Sequence, residues 1–408
     1  MKYRALALCV ALGACAPRAP APIAVHPDAC HGGPVTLWLD FEGAGVVHAA
    51  GDDSAAMPVA SSLAPTNAVV PPFDASAIAP KVTRDQAIAS IVDRVRTIVK
   101  PFDVDVVTAR PNATPYTRIL VGGTTAALGV SATEAGLARL DCGNLTDGDV
   151  AYDFAAEQTP DYGGVVGIAN TAAHEAGHAF GLEHVDDPDD VMYSAATPAL
   201  TLPELFGLAF GGNGDFTPYG SPSGVRQCTS ADPIDEPAIL DCAVGAAPAG
   251  GDVISPTVDW PEPSGPVASP MTLTATADDD TGVVRVEAYK DLELIASIET
   301  PPYTFSVDAA PGEHFYVTVE AIDAAGNRAT LTRALVGAVP APSDDGGAPP
   351  PPDLAPGNHQ NMPMSSGGCA MSGAPSAAPW SLLLFVLLAA FTASRRSSAT
   401  GSSSPRRR

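Results

Sequence analysis

From Arg84 to Val99 the apolar residues Ala87, Ile88, Ile91, Val92, Val95, Ile98 and Val99 recur at intervals of three and four. That period predicts an amphipathic helix, which Pro101 stops. Shorter apolar runs around it read as strands: VTLWLDFEG (35–43), VDVVTA (104–109), RILVGG (118–123) and DVAYDF (149–154). Strand, helix and three further strands, then a segment rich in alanine and histidine, describe a mixed α/β domain over residues 30–212.

The pattern changes after residue 251. Short alternating runs follow one another at TVDW (257–260), MTLTATA (271–277), VVRVEAY (283–289), LELIASI (292–298), YTFSV (303–307), FYVTVEAID (315–323) and ATLTRALV (329–336), with turn residues such as DDDTG and DAAGN between them. Seven period-two strands at this spacing predict an all-β immunoglobulin-like sandwich over residues 252–337. The PPY before one strand and the DAAGN hairpin resemble those of bacterial Ig-like modules of surface proteins, and the resemblance implies spacing or binding rather than catalysis. Residues 213–251, rich in Gly, Pro, Asp and Ala, read as a connector, and residues 338–368 as a Pro/Gly/Ser linker.

Both ends carry targeting patterns. MKYRALALCVALGAC (1–15) has a basic start, an apolar run and small residues at its close, the layout of an export signal, and an Ala/Pro-rich tether (16–29) follows. LGAC also resembles a bacterial lipobox, which would make Cys15 the lipidated first residue; cleavage after Ala16 is the alternative. Residues 369–408 begin at Cys369 after two glycines, continue through the apolar run Trp380–Ala393 and end in arginines. That run would span roughly 21 Å as a helix, short of the roughly 30 Å hydrocarbon core. The order of parts resembles the sorting tail of myxobacterial surface proteins, which implies processing near Cys369; a plain transmembrane anchor is the alternative. Export to the cell surface or the medium, at the outer envelope of a bacterium, is the expected localisation.

Charge narrows the partners. The net charge is −25, and five of the 21 basic residues lie in the last fourteen positions, so the body is strongly acidic and a nucleic-acid partner is excluded. Of seven cysteines, Cys30, Cys142, Cys228 and Cys242 lie in the body, where an exported chain would form two disulfides. Cys228 with Cys242 is the natural short loop and would leave Cys30 with Cys142, although three pairings are open.

HEAGHAFGLEH (174–184) holds the candidate chemistry. Asn170 and Thr171 are N-cap types and the alanines after them favour a helix running to about Gly181. On it His174 and His178 stand one turn apart and can share an ion, while Glu175 is offset and suited to take a proton from a water on that ion. Gly181 allows a sharp turn that returns His184 as a third nitrogen ligand, leaving the fourth position of a zinc ion open. Five fixed residue types in a chain of this length arise by chance on the order of once in ten thousand.

His174, Glu175, Gly177, His178, Gly181, Leu182 and His184, with Asp187, Pro188 and Met192 eight residues on, resemble the metzincin metalloproteases and among them the matrixins. The resemblance implies zinc ligands His174, His178 and His184, a general base Glu175, and Met192 as an apolar support beneath the metal. It also implies a metzincin-like catalytic domain with a mixed twisted sheet and an active-site helix. Two family features are not repeated: a prodomain cysteine switch, and a second zinc or calcium loops, though Asp186, Asp189 and Asp190 are acidic candidates for calcium. The expected activity is a zinc-dependent endopeptidase acting on protein or peptide substrates, which would add as a strand at DVAYDF or the segment before it. Rival readings are a surface adhesion protein using its Ig-like module and a zinc hydrolase of non-peptide amides. Oligomeric state and calcium binding are left open by the sequence.

Overall fold

The structure is a computed structural model that describes residues 30–340 apart from 31, 114, 132–133, 159–162, 195–201, 213–227 and 229–232. The signal and tether, Cys15, Cys369 and the sorting or transmembrane tail lie outside the described residues. Among the described residues no helix is long and apolar enough to cross a membrane.

The first half is built on strands β1 (Val35–Asp40), β2 (Ala44–His48), β3 (Val59–Ser61) and β4 (Ala68–Val70), helix α1 (Arg84–Val99), strands β5 (Val104–Val107) and β6 (Thr117–Val121), the short helix α2 (Thr125–Leu128), and strands β7 (Gly136–Leu137) and β8 (Val150–Asp153). Helices α3 (Gly164–Ala179), α4 (Leu202–Gly207) and α5 (Glu236–Ala243) complete it. The central sheet runs β5-β1-β6-β8-β7, parallel except for β7, which pairs antiparallel with β8 at the edge.

Period-two alternation sends the two sides of this sheet to different cores. Leu37, Leu39, Ile119, Val121 and Ala151 face α1 and α3, while Trp38, Leu120, Val150 and Tyr152 face a small sheet of order β3-β2-β4. With both faces covered the strands are apolar almost throughout. Helix α1 has the bounds its periodicity predicts, and a capping box between Thr83 and Gln86 satisfies its first amides. The small sheet and α5 are elements that the apolar pattern did not announce.

Helix α5 lies inside residues 213–251, the stretch expected to be a connector. Its Ile239, Leu240 and Ala243 belong to the same core as α1 and α3. It also overturns the expected short disulfide loop. Helix α5 returns beside the start of β1, where Cys242 pairs with Cys30 across a Cα separation of 5.5 Å. Cys142 pairs instead with Cys228, at 5.0 Å. Proximity in the fold, not along the chain, decides the pairing.

The second half has the expected seven strands: β9 (Thr257–Asp259), β10 (Met271–Asp278), β11 (Val283–Lys290), β12 (Glu293–Ile298), β13 (Tyr303–Val307), β14 (His314–Asp323) and β15 (Arg328–Val336). They form sheets of order β13-β10-β9 and β12-β11-β14-β15, packed around Trp260, Val286, Ala288, Phe305, Phe315, Val317 and Val319.

The other face of the four-stranded sheet would meet water in a free sandwich. Here it lies on α1. Tyr289 and Leu294 join the core of the first half, and Arg285, Glu287, Glu320 and Arg328 are all removed from solvent or nearly so. Ser90 of α1 donates to Glu287 Oε2 at 2.9 Å, Thr97 donates to Gly326 O at 2.5 Å, and Lys100 donates to Asp252 O at 2.7 Å. Arg285 pairs with both Asp93 and Glu287. Removing one partner of a buried ion pair costs about 3–5 kcal/mol, so these contacts fix the sandwich on the helix rather than letting it swing.

Candidate metal centre

Helix α3 starts seven residues before the position its cap-type residues suggested. Its N-cap is Gly163, with no side-chain cap. Asn170 and Thr171 sit in its second turn instead, because the apolar stretch GVVGIA before them is buried and helical. Their side chains work laterally: Asn170 Nδ2 donates to Leu205 O at 3.3 Å and Thr171 Oγ1 accepts from Gln158 Nε2 at 3.0 Å.

The helix ends as the motif requires. Gly181 adopts φ +95°, and Leu182 N reaches back to Gly177 O at 2.8 Å. A Cβ at Gly181 would also stand 2.8 Å from Gly143 N, so the loop clipped by Cys142–Cys228 leaves no room for one. The turn carries His184 back over α3.

The three imidazoles converge. Nε2 of His184 lies 3.2 Å from Nε2 of both His174 and His178. The opposite nitrogens are committed to backbone carbonyls: His174 Nδ1 to Val191 O at 2.7 Å and His178 Nδ1 to Leu182 O at 2.8 Å. Each Nδ1 must carry the proton to make such a bond, so both Nε2 lone pairs point inward. Burial also favours the neutral rings. It holds His174 well below the usual histidine range, with His178 adding to the effect; it lowers His178 to about 4 and lowers His184. Three facing acceptors repel one another unless a cation lies between them, and three neutral nitrogens suit zinc. The donor set therefore fits the expected ion.

Met192 is fully buried with its sulfur against Gly177 of α3, and its backbone carbonyl accepts from Val185 N at 3.1 Å. Asp190, one of the three acidic calcium candidates, turns inward instead and accepts the Met192 amide at 2.6 Å. Among the described residues two groups of three acidic, histidine or cysteine residues bring ligand atoms within 4.8 Å of one another: His174, His178 and His184, and Asp252, Asp279 and Asp323. Asp186, Asp189 and Asp190 form no such group.

Glu175 is 5% exposed and lies under the edge strand, where its carboxylate touches the bare Cα side of Gly136. Burial, and then the charge of Glu134, push its pKa well above the ordinary carboxylate range. Beside it on β8, directly across from Gly136, stands Asp153, wholly buried and likewise raised by burial and by Glu175. Gly136 and Asp153 were missed at the level of sequence. Asp153 lies in DVAYDF, one of the runs read as a strand, whereas Gly136 lies in none of them.

Residues 133–203 match the Matrixin family model and residues 255–332 match the model for a bacterial Ig domain. No curated protein is significantly similar to the chain. Among solved structures, the fibronectin(III)-like modules of Clostridium thermocellum CbhA are 25% identical over 20% of this chain and 98% of theirs, with a TM-score of 0.19. OgpA from Akkermansia muciniphila is 10% identical over 76% of this chain and 95% of its own, with a TM-score of 0.23. At such TM-scores neither likeness bears on fold or activity. The chain thus joins a segment similar to matrixins to a segment similar to bacterial Ig domains.

Proposed function

We propose that this chain is an exported zinc endopeptidase. The observation that carries the reading is the cage of three Nε2 atoms, that of His184 lying 3.2 Å from each of the other two, with Glu175 one residue from the first ligand. A zinc ion held there by His174, His178 and His184 would polarise a carbonyl and make water nucleophilic at neutral pH.

The chain's own groups do the rest. The Glu175 carboxylate accepts a proton from the attacking water and returns it to the nitrogen of the leaving amine. Its dry setting raises its pKa well above the ordinary carboxylate range, a direction that suits a group that must both take and give a proton. Strand β7 supplies an antiparallel edge against which an extended peptide adds as a further strand, and Gly136 keeps that edge close to Glu175. Strand addition favours a peptide over other amides. The Ig-like module spends one sheet face on α1, which weighs against a purely adhesive role.

The two disulfides support an oxidising compartment, and with the amino-terminal signal pattern they support export. The test is casein cleavage by the purified protein, with and without chelator, beside Glu175→Ala. Hydrolysis that chelator stops, zinc restores and the zinc-loaded variant lacks is the expected result. A folded, zinc-loaded wild type without chelator-sensitive hydrolysis overturns the proposal.

A further inference from the structure

Arg94, in the middle of α1, is 4% exposed and binds three separate parts of the molecule. Its Nε donates to Asn170 Oδ1 at 3.2 Å, its Nη2 donates to Leu205 O at 2.6 Å, and its Nη1 stands 3.7 Å from Glu320 Oε1. The guanidinium also lies 5.3 Å from the ring centroid of Phe206, which in turn packs edge-on against Tyr289. Asn170 belongs to α3, one helical turn before His174; Leu205 and Phe206 belong to α4; Glu320 belongs to β14 of the Ig-like module.

Glu320 is 1% exposed and is held from its other side by Arg328. It is therefore fixed in the sandwich before it meets Arg94. A buried guanidinium keeps its place only while a carboxylate offsets its desolvation, and its planar fork converts that place into a fixed direction for the remaining N–H groups. Here one of those groups points at Asn170. The module touches α3 directly at the helix start, where a Cβ on Gly164 would stand 2.8 Å from Leu292 O.

We propose that the Ig-like module is a positioning element of the metal centre, acting through Arg94: Glu320 orients the guanidinium, the guanidinium fixes Asn170, and Asn170 sets where along its axis α3 presents His174 and His178. Arg94 is a positioning residue and touches neither metal nor substrate. The inference rests on the three histidines being metal ligands, and it goes beyond the proposed activity by giving the sandwich a part in it. A module that merely covered α1 would stabilise the fold without changing the cage.

The test uses the whole chain and three variants. Glu320→Gln removes only the module's charge. Arg94→Lys keeps the charge and loses the fork. Arg94→Met removes the guanidinium and leaves Glu320 paired with Arg328, so no buried carboxylate is left alone and the docked interface is retained. Arg333→Ala, at a pair with the exposed Glu262, is the control. Three readouts apply: zinc affinity by chelator competition, amide hydrogen exchange of residues 168–179 in metal-free protein, and kcat and KM separately.

The expected result is zinc affinity and kcat each lower by about tenfold or more, KM within about twofold, and faster exchange along α3, since small displacements of a site cost one to two orders of magnitude. Arg94→Met should show this while its thermal midpoint stays near wild type. Zinc affinity and α3 exchange equal to wild type in any folded variant of the three overturn the proposal. So does an unfolding transition in which the sandwich separates first and leaves zinc affinity intact. If wild type binds zinc but cleaves no peptide, the protease reading fails while affinity and exchange still decide this one.

Discussion

Met192 packs against the bare Cα of Gly177: a Cβ there would stand 2.5 Å from the Met192 sulfur and 3.2 Å from the Phe210 ring. The glycine inside the histidine motif is therefore a space for the methionine fifteen residues beyond it. Gly177→Ala favours the helix by about 1 kcal/mol but forces Met192 out of its seat, and overpacking costs about 1–3 kcal/mol. The expected outcome is a net loss of stability together with weaker zinc binding, read by urea unfolding and chelator competition. Gly177→Ala/Met192→Ala should recover part of the stability.

Gly136 has the same relation to Glu175. A side chain at this edge position runs into the carboxylate, so Gly136→Ala should displace the base while leaving the three imidazoles in place. The expectation is kcat lower by about 10²-fold, within the range that general-base catalysis contributes, with zinc affinity unchanged. Equal loss of zinc would show that the cage, not Glu175, had moved.

The neutral cage predicts a pH dependence. The folded-state pKa values of the three histidines lie below the ordinary 6.5, His178 at about 4, because burial disfavours the charged rings. The unfolded chain then binds more protons than the folded one between those limits, so the stability is fully present above about pH 6.5 and is lost as pH falls toward 4. Urea unfolding of metal-free protein at pH 7, 5.5 and 4.5 should show that decline, and His178→Gln should flatten it.

Asp149 has the opposite sign. It is 2% exposed, neither carboxylate oxygen has a hydrogen-bond partner among the described residues, and burial with the charges of Asp141 and Asp53 pushes its pKa up to about 8. The folded state holds this proton more tightly than the unfolded chain, so stability falls as pH rises from about 4 to about 8. Asp149→Asn should stabilise the protein at pH 8 by about 1–3 kcal/mol, and by less at pH 5. Urea midpoints at the two values check it.

Local chemistry was legible wherever one element carries it. The period of residues 84–99 marked α1 to the residue, and the seven alternating runs marked β9 to β15. The spacing of His174, His178 and His184 announced a cage that the turn at Gly181 closes. Each of these follows from a helix or strand period or from a glycine's backbone freedom, which a linear chain displays directly.

Tertiary structure decided what depends on residues far apart in the chain. Asn170 and Thr171 look like caps because their side chains suit either an exposed amide or a lateral partner, and only the burial of residues 164–169 selects the second. Cysteine spacing favours the shortest loop, but α5 carries Cys242 to Cys30 across 212 residues. Arg285, Glu287 and Glu320 read as the wet face of a sandwich by alternation, yet α1 removes that face from water, with Ser90, Asp93 and Arg94 as the paired groups. The sequence by itself determined which atoms can hold a metal and move a proton. What the sandwich is bound to, and through Arg94 what it holds in place, was decided by folding, because a buried charge is placed by partners that the chain reaches only in three dimensions.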